Sequence, residues 1–190
     1  MIEEIETYAR NNNIPIMLPD GILFLTEFIK KNKIKKILEI GTAIGYSAIK
    51  MSLVSNDILV TTIERDNNRY QEALKNIKKF HLEKQIKIIF DDAFNVNLDE
   101  KFDLIFIDAA KSQSIKFFEK FKNNLNDSGF IVTDNINFHG LTKEKYIKNR
   151  NTRQLVRKIN EYVEFLHNNK EFITYFVADG DGISISRKAN

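Results

Sequence analysis

The 190-residue sequence contains no cysteine and no tryptophan, and it has only two prolines and seven glycines. The absence of cysteine excludes disulfide bonds, thiolate zinc sites and cysteine nucleophiles. A bound metal would therefore have oxygen or imidazole ligands, which favours a hard cation such as Mg2+. Few prolines and glycines and no internal repeat leave little room for a flexible linker. The length then predicts a single domain over residues 1–190.

Long hydrophobic runs and a strong charge of one sign are also missing. No apolar stretch reaches the roughly 18 residues of a membrane span, and the acidic N-terminal segment MIEEIETYAR lacks the apolar core of a signal peptide. We therefore expect a cytoplasmic protein with no membrane partner. A net charge of +3 permits a nucleic-acid partner without requiring one.

The sequence does contain a regular alternation of short apolar runs and amphipathic stretches, which is typical of an α/β sheet with helical crossovers. Only five residues separate the last two apolar runs, too few for a parallel crossover, so these two should form an antiparallel hairpin. The predicted fold is a doubly wound, mostly parallel, seven-stranded sheet with a reversed last strand. The predicted strands are 36–40, 58–63, 86–90, 102–107, 130–133, 172–177 and 183–187, and the predicted helices are 3–12, 20–32, 45–54, 66–80, 111–125 and 144–168.

A glycine turn joins the first strand to the next helix in the segment LEIGTAIGYS. Gly41 would let the backbone turn off the strand, and Gly45 would let the helix N-terminus approach a ligand closely. The spacing differs from that of dinucleotide-binding loops, and no phosphate-binding lysine follows. The acidic Glu39 before the turn suits a ligand that carries an amino group and a sulfonium. We place Thr42 and Ser47 in the same ligand-binding turn.

Acidic residues also follow the second and third strands. Glu64 ends the second strand about twenty residues after the turn, where a carboxylate can accept both hydroxyls of a ribose. Asp92 and Ala93 follow the third strand, where a side-chain acceptor could take an adenine amino group. A single acid at such a position is commonly a solvated surface group. Three acids at successive strand ends favour an adenosine ligand.

Polar side chains follow the fourth and fifth strands directly. Asp108 follows one strand, and Asp134 and Asn135 follow the other. If the strands are neighbours, these groups meet at the carboxyl edge of the sheet and form an oxygen ligand set for Mg2+ or another divalent cation. A helix cap is the alternative reading of a lone aspartate. A cation bound there could polarise a substrate oxygen. Lys111 could reach that oxygen as an orienting cation or as a base, or it could be a plain surface lysine.

These motifs together resemble the cation-dependent O-methyltransferase family, which includes the catechol and caffeoyl-CoA enzymes. The motifs are LEIGTAIGYSA, TIERD, DLIFIDAAK and TDNI, and the resemblance runs from residue 14 to residue 182. Within the family, NNNIPIM and TIERDNNRYQEALKNIK resemble the bacterial branch that methylates 5-hydroxyuridine in tRNA. Members of this group usually carry further helical residues before the segment that here begins at Met1.

The resemblance implies an S-adenosylmethionine-dependent O-methyltransferase that uses Mg2+. Lys111 corresponds to the catalytic lysine of the family, and Asp108 acts beside it. Asp108, Asp134 and Asn135 hold the metal, which two neighbouring substrate oxygens chelate. The branch resemblance implies a tRNA anticodon loop as partner, with 5-methoxyuridine formed at the wobble position, and we expect a homodimer. The resemblance implies cofactor contacts from Met17, Gly41, Ser47, Glu64, Asp92, Ala93 and Asp108.

A basic stretch over residues 143–158 gives some evidence for RNA that does not depend on the family. Arg150, Arg153 and Arg157 are spaced so that they lie on one face of a helix, where they could bind phosphates. A helix face that is merely exposed to solvent is an equal alternative. Leu155, Ile159, Tyr162 and Leu166 should lie on the opposite face, against the sheet. The candidates for stacking on a flipped base are Tyr46, Phe138 and Tyr146.

Three other functions compete with tRNA methylation. The first is O-methylation of a small catechol-like phenol, which would use the same metal site. The second is a catalytically silent RNA-binding module that has kept the fold. The third is a nicotinamide-dependent oxidoreductase, which the spacing of the glycine turn disfavours.

Overall fold

A computed structural model describes residues 1–137, 140–144 and 147–189 of the chain. The strands are β1 (Lys36–Ile40), β2 (Leu59–Glu64), β3 (Ile86–Phe90), β4 (Phe102–Ile107), β5 (Leu125–Thr133), β6 (Phe172–Val177) and β7 (Ile183–Lys188). The helices are α1 (Ile2–Asn11), α2 (Pro19–Lys31), α3 (Tyr46–Ser52), α4 (Asn67–Lys79), α5 (Ser114–Phe121) and α6 (Arg150–Asn168). Short 3₁₀ turns flank α5 at Lys111–Gln113 and Lys122–Asn124, and a third lies at Leu141–Lys143.

The seven strands form one sheet in the order β3-β2-β1-β4-β5-β7-β6. Neighbours among β1 to β5 are parallel, whereas β7 is antiparallel to both β5 and β6. This confirms the predicted doubly wound sheet with a reversed last strand. The strand order changes direction between β1 and β4, and ligands of such sheets bind at the carboxyl edge beside that point.

The two faces of the sheet carry separate hydrophobic clusters. One cluster packs α1, α2 and α3 against residues such as Ile37, Leu104 and Phe106. The other packs α5 and α6 through Phe118 and Tyr162. Because both faces are covered, β1 and β4 are buried almost throughout, as their continuous apolar runs predict.

Several predicted boundaries were wrong. Strand β5 begins at Leu125, not at residue 130. Helix α6 begins at Arg150, not at residue 144, because the Asn149 side chain accepts a hydrogen bond from the Thr152 backbone N–H at 3.0 Å and caps the helix there. The predicted helix 111–125 is split into α5 and two 3₁₀ turns, and its last residue, Leu125, already belongs to β5, where it pairs with Phe102.

The buried face of α6 also differs from the prediction by one position. Ile159, Tyr162 and Leu166 are buried as expected, but Val156 completes the row and Leu155 is only half-buried. Among the described residues, no helix combines the length and apolar composition needed to cross a bilayer.

Candidate active site

The glycine turn after β1 lies against the end of β4. Gly41 has φ of +100°, and a Cβ added to it would stand 2.5 Å from the carbonyl oxygen of Asp108. The Asp108 N–H donates to the Ile40 carbonyl at 3.0 Å, which holds the two strand ends together. A side chain at Gly41 would therefore separate the predicted cofactor turn from the predicted metal ligands. Gly45 has φ of +84° and starts α3.

Glu39 lies beneath this turn in a buried polar cluster. The Ser47 hydroxyl donates to one of its carboxylate oxygens at 2.5 Å, and the Thr62 hydroxyl donates to the other at 2.6 Å. Thr42 is 2.6 Å from Thr62, hydroxyl to hydroxyl. Burial raises the pKa of Glu39 to about 7, against the two hydroxyl hydrogen bonds, which lower it. Since Glu39 has no exposed surface, it would not contact a ligand directly. It would act on a ligand by orienting the Ser47 hydroxyl and by the electrostatic effect of its charge.

Glu64 at the end of β2 is fixed by backbone donors. The N–H groups of Arg65 and Asp66 donate to one carboxylate oxygen at 3.0 and 2.9 Å, and the Ala43 N–H donates to the other at 2.8 Å. Ala43 has φ of +46°, so this bond also stabilises an uncommon conformation in the turn. A carboxylate accepts about four hydrogen bonds, and Glu64 therefore retains capacity for a ribose hydroxyl.

The remaining predicted cofactor residues differ in exposure. Asp92 is half-buried; it accepts from the Phe94 N–H at 2.9 Å and from the Arg65 guanidinium at 3.0 Å, and these bonds lower its pKa despite partial burial. Ala93 and Met17 are buried, with 8% and 3% of their surface exposed. Met17 packs against Gly21 in the first turn of α2.

The predicted metal ligands lie at the ends of paired strands. Ile107 of β4 is in register with Thr133 of β5, so Asp108 and Asp134 are the next residues on adjacent parallel strands. Asn135 follows with φ of +62°, a left-handed conformation that asparagine tolerates better than most residues. The structure therefore brings Asp108, Asp134 and Asn135 to one edge, as the sequence predicted.

Asp134 is the most unusual carboxylate at this edge. Only 2% of the residue is exposed, and one oxygen accepts from the Asn135 side-chain amide at 3.1 Å. Within the described part of the chain, its Oδ1 is buried without a hydrogen-bond partner. Burial and, after it, the nearby Asp108 carboxylate raise the pKa of Asp134 to about 6, while Lys111 opposes both. A buried anionic oxygen in this state is suited to a cation.

Lys111 points back at Asp108 from the 3₁₀ turn. Its ammonium lies 2.8 Å from Asp108 Oδ1, and 15% of the lysine side chain and 21% of the aspartate side chain are exposed. This excludes the reading of Lys111 as a plain surface lysine. Two carboxylates thus share one nearby ammonium.

The donor set fits a divalent cation. Asp108 and Asp134 offer hard carboxylate oxygens, and Asn135, which donates through Nδ2, can still offer its amide oxygen. Among the described residues, no group of three or more Asp, Glu or His side chains is placed to hold a metal. The cation would therefore depend on the amide oxygen and on water or substrate oxygens. The role of the three residues as ligands stays a prediction.

The arginines predicted to bind RNA are exposed on α6, but only one lies beside the site. A cleft of about 420 Å³ separates α6 from the turn that carries Lys111, and Arg157 lines it whereas Arg150 and Arg153 do not. Arg157 also pairs with Glu161 at 2.9 Å. The cleft is lined by Ser112, Asn151, Gln154, Leu155, Arg157 and Lys158.

One of the stacking candidates was wrong. Tyr46 is 97% buried, and its hydroxyl donates to Glu6 of α1 at 2.9 Å, so its ring cannot stack on a substrate base. Burial, together with that hydrogen bond, raises the pKa of Tyr46. Phe138 and Tyr146 lie outside the described residues.

The sequence prediction missed Thr62 as part of the site. Thr62 pairs in register with Glu39 across β1 and β2, which places the two side chains next to each other on one face. Its position two residues before Glu64 carries no distinctive local signal. Only the strand register shows that its hydroxyl meets Glu39.

Comparison with known proteins agrees with this geometry. A profile of the family described as O-methyltransferase matches residues 1–189. A caffeoyl-CoA O-methyltransferase from Populus kitakamiensis is 28% identical over 191 residues, which cover 95% of this chain and 81% of that protein. A relative from Arabidopsis thaliana is 29% identical over 146 residues, and the match spans only 62% of its length.

Solved structures show the same fold. The structure of a candidate caffeoyl-CoA O-methyltransferase from Staphylococcus aureus is 41% identical with a TM-score of 0.93, and the match covers 99% of this chain and 92% of that one. The SAH-bound methyltransferase PaMTH1 from Podospora anserina has a TM-score of 0.80 at 21% identity, with 99% and 95% of the two chains covered.

Proposed function

The chain belongs to the O-methyltransferase family as an S-adenosylmethionine-dependent enzyme, and we propose that it methylates one of two adjacent oxygens of an acceptor held by Asp108, Asp134 and Asn135. The observation that carries this proposal is the buried Oδ1 of Asp134, which has no hydrogen-bond partner among the described residues and lies beside a second carboxylate and a lysine. Such a site binds a divalent cation when one is available, and two vicinal oxygens complete its coordination.

Different groups of the protein would activate the acceptor and position the methyl donor. A cation bound there would lower the pKa of the acceptor hydroxyl and stabilise its oxyanion. Lys111 places a positive charge at the same edge, where it stabilises the developing negative oxygen. The turn at Gly41 and the carboxylates of Glu64 and Asp92 hold the methyl donor in line with that oxygen. The hydroxyl proton passes to solvent, the oxygen–carbon bond forms as the sulfur–carbon bond breaks, and S-adenosylhomocysteine leaves with the electron pair of the broken bond. Positioning of this kind contributes roughly 7–11 kcal/mol.

A small catechol-like phenol is the acceptor that the comparisons favour. By their names, the plant relative from Populus and the Staphylococcus structure are caffeoyl-CoA enzymes, and such acceptors carry two adjacent aromatic oxygens. A phenol of this kind has the vicinal pair that the site requires.

A second acceptor, 5-hydroxyuridine in tRNA, is supported by the cleft beside Lys111. Two amides and two cations are among the described residues that line this cleft, and none of those lining residues is a carboxylate, although both cations also pair with Glu161. Such a lining suits a phosphate and a base edge next to the modified nucleotide. The anticodon loop as partner, a homodimer and a cytoplasmic location stay predictions.

A substrate panel separates the two acceptors. Purified protein, Mg2+ and S-adenosylmethionine with a labelled methyl group would be offered catechol, caffeoyl-CoA and tRNA that contains 5-hydroxyuridine. Label in the phenols alone would support the first acceptor, and label in the tRNA alone would support the second. Equal turnover with and without a chelator would contradict the cation site.

A further inference from the structure

The loop between β6 and β7, residues 178–182, lies directly against the segment that carries Asp134 and Asn135. The Ile136 N–H donates to the Gly182 carbonyl at 3.0 Å, and the Asn137 N–H donates to the Asp181 carbonyl at 2.9 Å. These two bonds fix the backbone immediately after Asn135. They hold a residue whose φ of +62° is costly without support.

Gly182 leaves no room for a side chain at this contact. Its φ is +82°, and a Cβ added to it would stand 2.5 Å from Nδ2 and 2.6 Å from Cγ of Asn137, and 3.0 Å from Cγ1 of Ile136. Relief of these overlaps requires the side chains of Asn137 and Ile136 to leave their positions, or the segment 135–137 or the loop to move.

The opposite side of the loop prevents it from moving away. Gly180, with φ of +61°, packs against the first turn of α2 so closely that a Cβ on it would stand 2.9 Å from the Cα of Gly21. Gly21 in turn contacts Met17, the predicted cofactor residue. The loop is therefore enclosed between α2 and the segment after β5.

We propose that Gly182 is a positioning residue for the predicted cation ligands Asp134 and Asn135, with the loop 178–182 held against α2 through Gly180. The inference rests on the proposed cation site. Gly182 touches neither the acceptor nor the methyl donor in this account. It acts by allowing the two backbone hydrogen bonds that set the conformation of Asn135.

The test compares Gly182→Ala with Gly140→Ala. Gly140 has a similar φ of +77°, but no atom of the described residues lies within 4 Å of a Cβ added to it, so the control carries the backbone strain without an overlap of this kind. Calorimetry would measure Mg2+ binding and S-adenosylhomocysteine binding separately, alongside turnover and thermal unfolding. We expect Gly182→Ala to lose roughly 10- to 100-fold in Mg2+ affinity, as changes to groups that orient metal ligands do. We expect Gly140→Ala to keep its Mg2+ affinity.

A double variant tests the mechanism. Asn137→Ala removes the two atoms closest to the added Cβ, so Gly182→Ala with Asn137→Ala should recover most of the Mg2+ affinity lost by Gly182→Ala alone. A merely destabilised protein would lose melting temperature without this recovery. If Gly182→Ala binds Mg2+ as the unchanged protein does, or if both alanine variants lose the same affinity, the inference is overturned. If the unchanged protein binds no Mg2+, the cation site itself is wrong and the inference fails with it.

Discussion

The two halves of the carboxyl edge treat their carboxylates in opposite ways. At the ends of β1 and β2, Glu39 and Glu64 have their oxygens occupied by hydroxyl and backbone donors of the protein itself. At the end of β5, Asp134 keeps one buried oxygen without a partner in the described residues. The carboxylates of the first half are already satisfied by the protein, whereas the second half has one ammonium, that of Lys111, for two carboxylates and leaves a buried oxygen for a ligand cation.

This difference has an energetic reason. A buried carboxylate with two hydrogen bonds is tolerated, because charge-assisted hydrogen bonds offset part of its desolvation. A buried carboxylate without them is unfavourable until a cation arrives. Substitutions in the β4–β5 half should therefore affect catalysis and spare stability, and substitutions in the β1–β2 half should affect cofactor binding and folding.

The largest effect is expected for Asp134→Ala. Loss of a cation ligand should lower kcat/KM by about a thousandfold, since a bound metal contributes several kcal/mol to transition-state stabilisation. Turnover with labelled S-adenosylmethionine measures this. Removal of a buried, unsatisfied oxygen should leave the melting temperature unchanged or raised, and a large fall in melting temperature would break the contrast between the two halves.

A smaller loss is expected for Lys111→Ala. Without the Lys111 ammonium, the acceptor oxyanion loses one electrostatic partner, and kcat should fall by about a hundredfold. The control is Lys116→Ala, an exposed lysine five residues further along. Equal rates for the two variants would remove Lys111 from the mechanism.

Ser47→Ala probes the cofactor half. It removes the 2.5 Å hydrogen bond to Glu39 and should weaken S-adenosylhomocysteine binding by about tenfold. A tenfold loss corresponds to roughly 1.4 kcal/mol, which lies within the range of about 0.5–1.5 kcal/mol for a typical hydrogen bond. Ser55→Ala is a matched control, because Ser55 also donates to a carboxylate, Asp57, at 2.5 Å, but at an exposed site. Calorimetry that gives the same affinity for both variants would contradict the role of the Glu39 cluster.

The smallest effect concerns pH and stability. The pKa of Glu39 rises from its ordinary value of 4.5 to about 7 in the fold, so the folded state holds this proton more tightly than the unfolded state. Its contribution is fully present below pH 4.5 and is lost as the pH rises to about 7. Glu39→Gln should flatten the fall in unfolding free energy over that window. Denaturant titrations from pH 4.5 to 7.5 would test this, and unchanged slopes would argue against it.

The sequence predicted the fold because its strands are short, apolar and separated by amphipathic helices. The antiparallel hairpin of β6 and β7 followed from a connection of five residues. The boundaries of α6 were harder, because a basic stretch with helical spacing continues upstream of Asn149, and the cap there is decided by one hydrogen bond. The wrong prediction that Tyr46 could stack on a base has a similar origin, since the local sequence does not indicate whether an aromatic residue after a glycine turn is buried.

The sequence by itself determined which oxygen-bearing side chains follow the strands, because strand ends can be read from local hydrophobic patterns. Only the tertiary structure decided how those side chains are satisfied. The pairing of Glu39 with Thr62 joins residues 23 positions apart, and the contact of Gly182 with Asn137 joins residues 45 positions apart. The lack of a partner for Oδ1 of Asp134 among the described residues depends on burial. Hydrogen-bond satisfaction is a property of the packed neighbourhood, and no local pattern in the chain encodes it.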